Sequence, residues 1–339
     1  MKKTLLRLFV VILSVLLLVW LIFYTDSFDE LVQVARHAKA QWIFTGFGCM
    51  VVYWAIDAVV LNRVTCTMME RQPLKNTIRV TMIGQFFNSI TPLAGAGQPV
   101  QAYVMVKDGV SPGRAISVFI IKTVLHQSVI ILYSIAAFML RGNDFAARLP
   151  RFYFLFLAGI LLNGAFMVLN LILLYDRKTS KKLLSAVFKL IRRFRFIKDP
   201  DAAAEKLREE LDGFAESAAA LKKNKGAVVI LVFLQALQFT FIFAIPYFIQ
   251  LATEPQRASF PDMIASQAVT MLISMLVPTP GATGGIEGLS YLFYGMFFRK
   301  GYIVPAILIY RILTYYSSLI FGGLFTLLAP EKPLKRETS

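Results

Sequence analysis

Five ionisable side chains, Asp57, Lys122, His126, Glu287 and Arg311, stand inside segments that are otherwise apolar. A charge at the centre of a bilayer costs at least ~2.5 kcal/mol even on lenient insertion scales, so each of these groups needs a partner. Lys122 and His126 are four residues apart, which puts them on one helix face. Arg311 lies in "YRILTYY", surrounded by Tyr310, Thr314, Tyr315 and Tyr316. Glu287 and Arg311 are expected to pair or to share one polar cavity, the carboxylate orienting the guanidinium while the guanidinium grips a phosphate through two parallel N–H bonds. The alternative is a buried ion pair with a packing role only. Lys122 has the further option of lying shallow and snorkelling to the surface.

The stretch "LVPTPGATGGIEG", residues 276 to 288, places two prolines, four glycines and the Glu287 carboxylate where a membrane helix should be continuous. A backbone interrupted at that depth leaves N–H and C=O groups that cost several kcal/mol each unless protein or water satisfies them, so such breaks border a cavity. A helix restarting there aims its N-terminal N–H groups inward, a setting for an anionic group. Pro280, Gly281, Gly284 and Gly285 are the expected contacts, with Tyr315 beside Arg311. The competing reading is tight packing, since Gly281/Gly285 and Gly284/Gly288 both have GxxxG spacing. A related string, "TPLAGAGQP", begins at Thr91 and supplies Pro92, Gly95 and Gly97. Lys122 follows Thr91 by 31 residues and Arg311 follows Thr279 by 32.

The elements that position these residues follow from hydropathy. Of 339 residues 57% are hydrophobic, and several apolar runs reach the ~20 residues that cross a bilayer. Full spans are expected near 5–24, 41–61, 115–139, 152–175, 226–250 and 302–328, the first being a retained span rather than a cleaved signal peptide. The regions about 77–108 and 262–298 are interrupted midway and read as re-entrant helical hairpins. The expected fold is therefore all-α and polytopic, with about six full transmembrane helices and two oppositely oriented hairpins forming an inverted repeat. Residues 1–175 make the first membrane half, 176–225 a cytoplasmic loop, 226–330 the second half and 331–339 a cytoplasmic tail. Chance matching of short Pro/Gly strings is the rival to the repeat.

The formal charge of +16 is concentrated in loops, where the positive-inside rule accounts for it, so nucleic acid is not an expected partner. Lys2, Lys3, Arg7, the second loop with Arg63, Arg71, Lys75 and Arg79, and the tail all fall on the cytoplasmic side. The exception is "RGNDFAARLPR", with three arginines on the outer side. In the large loop, "SKKLLSAVFKLIRRFRFIK" reads as a basic amphipathic helix on the inner leaflet and "KDPDAAAEKLREELDGF" as the start of a second, acidic one, with no chemistry assigned to either. Cys49 and Cys66 imply no disulfide framework, His37 and His126 are the only histidines, and no soluble-enzyme motif is present, so neither metal nor cofactor is expected.

"NSITPLAGAGQPVQAY", "VPTPGATGGIEG" and "YRILTYYSSLIFGG" resemble the lysylphosphatidylglycerol synthase transmembrane-region family, flippase-like membrane proteins of bacteria and archaea, over about residues 8 to 328. The resemblance implies a polytopic helical protein of the inner membrane that handles polar lipids. Some members carry a soluble aminoacyl transferase domain; about ten residues separate the last span from Ser339, so synthase activity is not carried over. The chain departs from the family pattern at "QPVQ", residues 98 to 101, and at Lys122 and His126, where an arginine and an acid are expected, which shifts the expected charged site to the second half.

The leading expectation is thus a flippase-like, non-enzymatic protein that binds an anionic or glycosylated polar lipid in a midplane cavity and moves it across the membrane. A lipid-binding partner of a membrane lipid or glycan synthesis enzyme is the second reading, and an ion-coupled solute transporter, permitted by Asp57 and Glu287, the third. Membrane lipids are the expected partners; the oligomeric state is open.

Overall fold

A computed structural model of the chain describes residues 38–68, 72–91, 97–175, 224–253 and 258–328. Among these, ten α-helices follow one another with no strand element. In the first half α1 (Ala40–Met68) is followed by α2 (Leu74–Ile90), α3 (Gly97–Lys107) and α4 (Pro112–Arg148), and α5 (Phe152–Tyr175) comes next. In the second, α6 (Lys225–Thr253) precedes α7 (Phe260–Ser274), α8 (Gly285–Tyr294), α9 (Lys300–Arg311), a π-helical turn (Ile312–Tyr316) and α10 (Ser317–Leu327). Five helical stretches are long and apolar enough to cross a membrane: Ala40–Thr67, Pro112–Arg148, Phe152–Leu174, Lys225–Thr253 and Lys300–Leu327. They coincide with the spans expected from 41 onward. The expected first span, nearly all of the cytoplasmic loop and the tail lie outside the described residues.

The punctuation is local chemistry. Pro112 follows Ser111 and opens α4, where its missing N–H has no helical partner to lose. Ser259 caps α7 by accepting from Asp262 N while Asp262 accepts from Ser259 N, a reciprocal capping box. α4 runs to Arg148, beyond the 115–139 expected for the span. Its 37 residues make ~55 Å of helix against ~30 Å of hydrocarbon, so the polar "RGNDFAAR" is helix continuing past the apolar core. The helix bends at Arg141, the one non-helical residue within it (φ −141°, ψ 19°). Arg141 is also tied down, donating to Asp262 Oδ1 at 2.8 Å, to Asp262 Oδ2 at 3.1 Å and to Asp144 at 3.0 Å. Two carboxylates thereby balance part of the arginine excess of "RGNDFAARLPR". Burial acts to raise the Asp262 carboxyl, but the bonds from Arg141 and Ser259 and the guanidinium charge outweigh it and hold the group below its usual value.

Packing pairs the two halves in matching fashion. α1 lies along α6; α2 packs against α10 and α7 against α4; each short-helix pair, α2 with α3 and α7 with α8, folds on itself. Apolar side chains fill these contacts: Val60, Leu61 and Val64 with Val118 and Ile121; Trp54, Ile245 and Ile249 with Tyr294 and Ile307; Phe145, Phe152, Phe239 and Phe243 with Leu272 and Phe293. α5 sits at the edge, with only 17% of its most apolar window buried, and shows Phe154, Leu157 and Leu161 outward. Such apolar surface is suited to acyl chains, not water.

Candidate functional site

The break between α7 and α8 is a tight, self-satisfied loop. Gly281, Ala282 and Gly284 all take positive φ (58°, 50° and 87°), which turns the chain within four residues. Ala282 N–H donates to Thr279 O and Thr283 N–H to Pro280 O. The Thr279 hydroxyl donates to Thr283 O at 2.7 Å and the Thr283 hydroxyl to Pro280 O at 2.7 Å. Gly284 N–H, at the start of α8, donates to Glu287 Oε2 at 2.7 Å. The carboxylate of the same helix thus occupies the anion position that its N-terminus offers.

Arg311 closes the loop from the other side. Its Nε donates to Glu287 Oε1 at 2.6 Å, Nη1 to Gly281 O at 3.1 Å and Nη2 to Thr283 Oγ1 at 3.2 Å. Three of the ~five guanidinium N–H groups are therefore held by the loop. The pair is lopsided: the Arg311 side chain is 5% exposed and that of Glu287 28%, so approach to the site meets the carboxylate first. The π-helical turn begins directly after Arg311 and sets Tyr315 beside it, the ring centroid 4.9 Å from the guanidinium carbon. That ring lies on Gly281, where a Cβ would stand 2.3 Å from Tyr315 Cε2. The Tyr315 hydroxyl donates to Ser89 O at 3.1 Å, near the end of α2. One side chain therefore touches the end of the first half's broken segment and the loop of the second.

The glycines divide the packing argument. A Cβ on Gly285 would meet Val277 Cγ2 at 2.7 Å, whereas Cβ atoms on Gly284 and Gly288 would meet nothing within 4 Å. The Gly284/Gly288 edge faces open space, so among the described residues no helix packs on it, and the tight contacts of Gly281 and Gly285 are made to Tyr315 and Val277. Pro280 is exposed within the loop.

In the first half, Gly97 opens α3 against the Asn88 side chain, with room for a Cβ only if Asn88 Oδ1, 1.9 Å away, moves. Pro92 and Gly95 lie outside the described residues. Lys122 does not join Arg311; its Nζ is 2.7 Å from Asp57 Oδ1, and the side chains are 10% and 6% exposed. Lys122 is therefore enclosed and does not snorkel. Gln85 of α2 donates to Asp57 Oδ2 at 3.2 Å. His126, one turn after Lys122, stands edge-on to the Phe239 ring at 4.9 Å. Sequence reasoning missed Thr279, Thr283, Ser89 and Gln85. Only Gln85 carried a signal, a polar amide inside "TMIGQFF".

A bundle of apolar helices with two interrupted helix pairs, and a charged latch at one interruption, defines a multi-pass α-helical membrane protein. The chain belongs to the lysylphosphatidylglycerol synthase TM region family, matching it over residues 5–322. It is also 24% identical over 315 residues to a UPF0104 membrane protein of Archaeoglobus fulgidus, covering 89% of this chain and 90% of that one. The family places the protein among those concerned with membrane lipids.

Proposed function

We propose that the protein is a non-enzymatic, flippase-like translocase of an anionic or glycosylated polar lipid. The observation that carries this reading is Tyr315, which joins the end of α2 to the Gly281 loop beside the Glu287–Arg311 pair. In this reading the two halves form an inverted repeat, α2–α3 and α7–α8 are re-entrant hairpins entering from opposite faces, and their tips meet near the midplane. The repeated order of a span, two short helices and a span, together with the matching packing partners, supports that arrangement. The termini lie in the cytoplasm and the membrane is the inner membrane of a bacterial or archaeal cell. Acyl chains stay in the bilayer while the headgroup enters the cavity.

The latch suggests how a headgroup binds. Arg311 Nε and Gly284 N–H are two donors converging on one carboxylate, the set a phosphate oxygen pair would take. An anionic headgroup reaches them by displacing Glu287, which otherwise holds the donors. Mass spectrometry of lipids retained by the purified protein, beside Arg311→Ala and bulk membrane extract, tests this. Enrichment of one anionic or glycosylated lipid, lost in the variant, is expected; a retained profile equal to bulk membrane in both would overturn the headgroup site.

A further inference from the structure

The Asp57–Lys122 pair is a second enclosed set of charges that the latch does not use. A buried ion pair contributes little net stability compared with apolar side chains of similar volume, because desolvation offsets the attraction. Packing alone is thus a weak reason to put a carboxylate and an ammonium between α1 and α4. Nor is the pair isolated. Gln85 bonds Asp57, the Tyr53 hydroxyl lies within reach of the Gln85 and Gln238 side chains, and Gln235 donates to Gln238 at 2.7 Å. Gln235 and Gln238 are each 1% exposed on α6, so polar groups run from Lys122 across the α1–α6 contact that joins the halves. Gln235 Oε1, buried at the end of this line, has no hydrogen-bond partner. The ionisable groups facing the pair are Tyr53 from α1 and His126 from α4, with Tyr310 of α9 beyond Tyr53; α2 and α6 contribute the neutral amides.

We propose that Asp57 is a proton-binding site that couples headgroup movement to a proton gradient, an inference that rests on the translocase reading above. A proton passes from hydronium to an Asp57 carboxylate oxygen, forming the O–H bond and leaving water, as the Lys122 ammonium withdraws. Release reverses this to water on the other side, and no other bond changes. The charge count supplies the reason for coupling. Asp57 and Lys122 together are neutral, as are Glu287 and Arg311; a proton alone leaves Lys122 as an unpaired buried cation, and an anionic headgroup alone, in displacing Glu287 from Arg311, leaves one carboxylate unpaired, each costing several kcal/mol. Proton and anion together restore the net neutrality of the two enclosed pairs. The loaded carrier then escapes the ~2.3 kcal/mol per 100 mV that moving a lone charge through the membrane potential costs.

Two measurements test this separately from lipid transport. In pH-difference infrared spectra of the purified protein, the band of a titrating carboxyl is expected to be lost in Asp57→Asn and in the charge-paired Asp57→Asn/Lys122→Met double variant, and kept in Glu287→Gln. The double variant serves if the single one, with Lys122 left unpaired, fails to fold. An unchanged band in the folded variant overturns the site. In vesicles holding NBD-labelled phosphatidylglycerol, a gradient of about one pH unit is expected to bias the wild-type distribution of the probe about tenfold for one coupled proton. The double variant should lose that bias. Wild-type movement of the probe with no response to the gradient overturns the proton coupling and leaves the translocase standing; absence of any movement counts against the translocase, and the infrared band then still decides the proton site.

Discussion

Gly281→Ala isolates the contact on which the site depends. The added methyl meets two obstacles: the backbone sits at φ 58°, and a Cβ would lie 2.3 Å and 2.7 Å from two carbons of the Tyr315 ring. An L-residue held in the left-handed region costs roughly 1–2 kcal/mol. Moving the ring then breaks the hydroxyl bond to Ser89 O, about 1 kcal/mol, and the stacking on Arg311, roughly 0.5–2 kcal/mol. The total is ~2.5 to 5 kcal/mol. Gly284→Ala has the strained backbone (φ 87°) but nothing within 4 Å, so it should lose only ~1–2 kcal/mol. Gly288→Ala, inside α8 with open space around it, should be neutral or gain up to ~1 kcal/mol from helix propensity. Equilibrium unfolding in mixed micelles titrated with SDS, followed by circular dichroism, ranks the three. A Gly281→Ala midpoint equal to wild type, or a larger loss at Gly284 than at Gly281, would refute the reasoning.

Glu287→Gln weakens the competitor for Arg311 and Gly284 N–H, so retention of an anionic lipid by the purified protein should rise; mass spectrometry showing a fall would mean that the carboxylate itself contacts the headgroup. Gly322→Ala places a methyl 2.6 Å from Met82 O and 2.9 Å from Phe86 N, both backbone atoms, so α10 and α2 must separate and SDS unfolding should report a loss of ~1–3 kcal/mol. Because the Asp262 carboxyl is held below its usual value, its ionised form stabilises the fold at pH values above ~4, and this contribution disappears as pH falls through the lowered value. Asp262→Asn should therefore lower Tm at neutral pH and progressively less in acid; a difference constant with pH would argue against the clamp to Arg141.

The spans and interruptions were legible because each follows from local chemistry: apolar runs of sufficient length, and prolines with glycines where helix should continue. Glu287 and Arg311 were legible from the cost of charge in a bilayer, which demands a partner within reach. What the sequence does not encode locally was lost. Tyr315 and Ser89 are 226 residues apart and Arg141 and Asp262 are 121, and nothing in "ILTYY" announces a π-helical turn. The end of α4 lies beyond the span expected to finish at 139 because "RGNDFAAR" is polar, whereas Arg141 within it is paired with Asp144 and Asp262. The expected bidentate grip of Arg311 on phosphate took no account of Gly281 O and Thr283 Oγ1, which become its partners only once the loop is folded.

The most direct measurement is the movement of NBD-labelled phosphatidylglycerol and an NBD-labelled glycolipid across vesicles containing the purified protein, read by dithionite quenching of the outer leaflet. The account predicts that wild type exposes at least one of the probes well beyond protein-free vesicles and that Arg311→Ala, verified as folded, does not. Equal protection of both probes with and without the protein, or undiminished movement in Arg311→Ala, would contradict it.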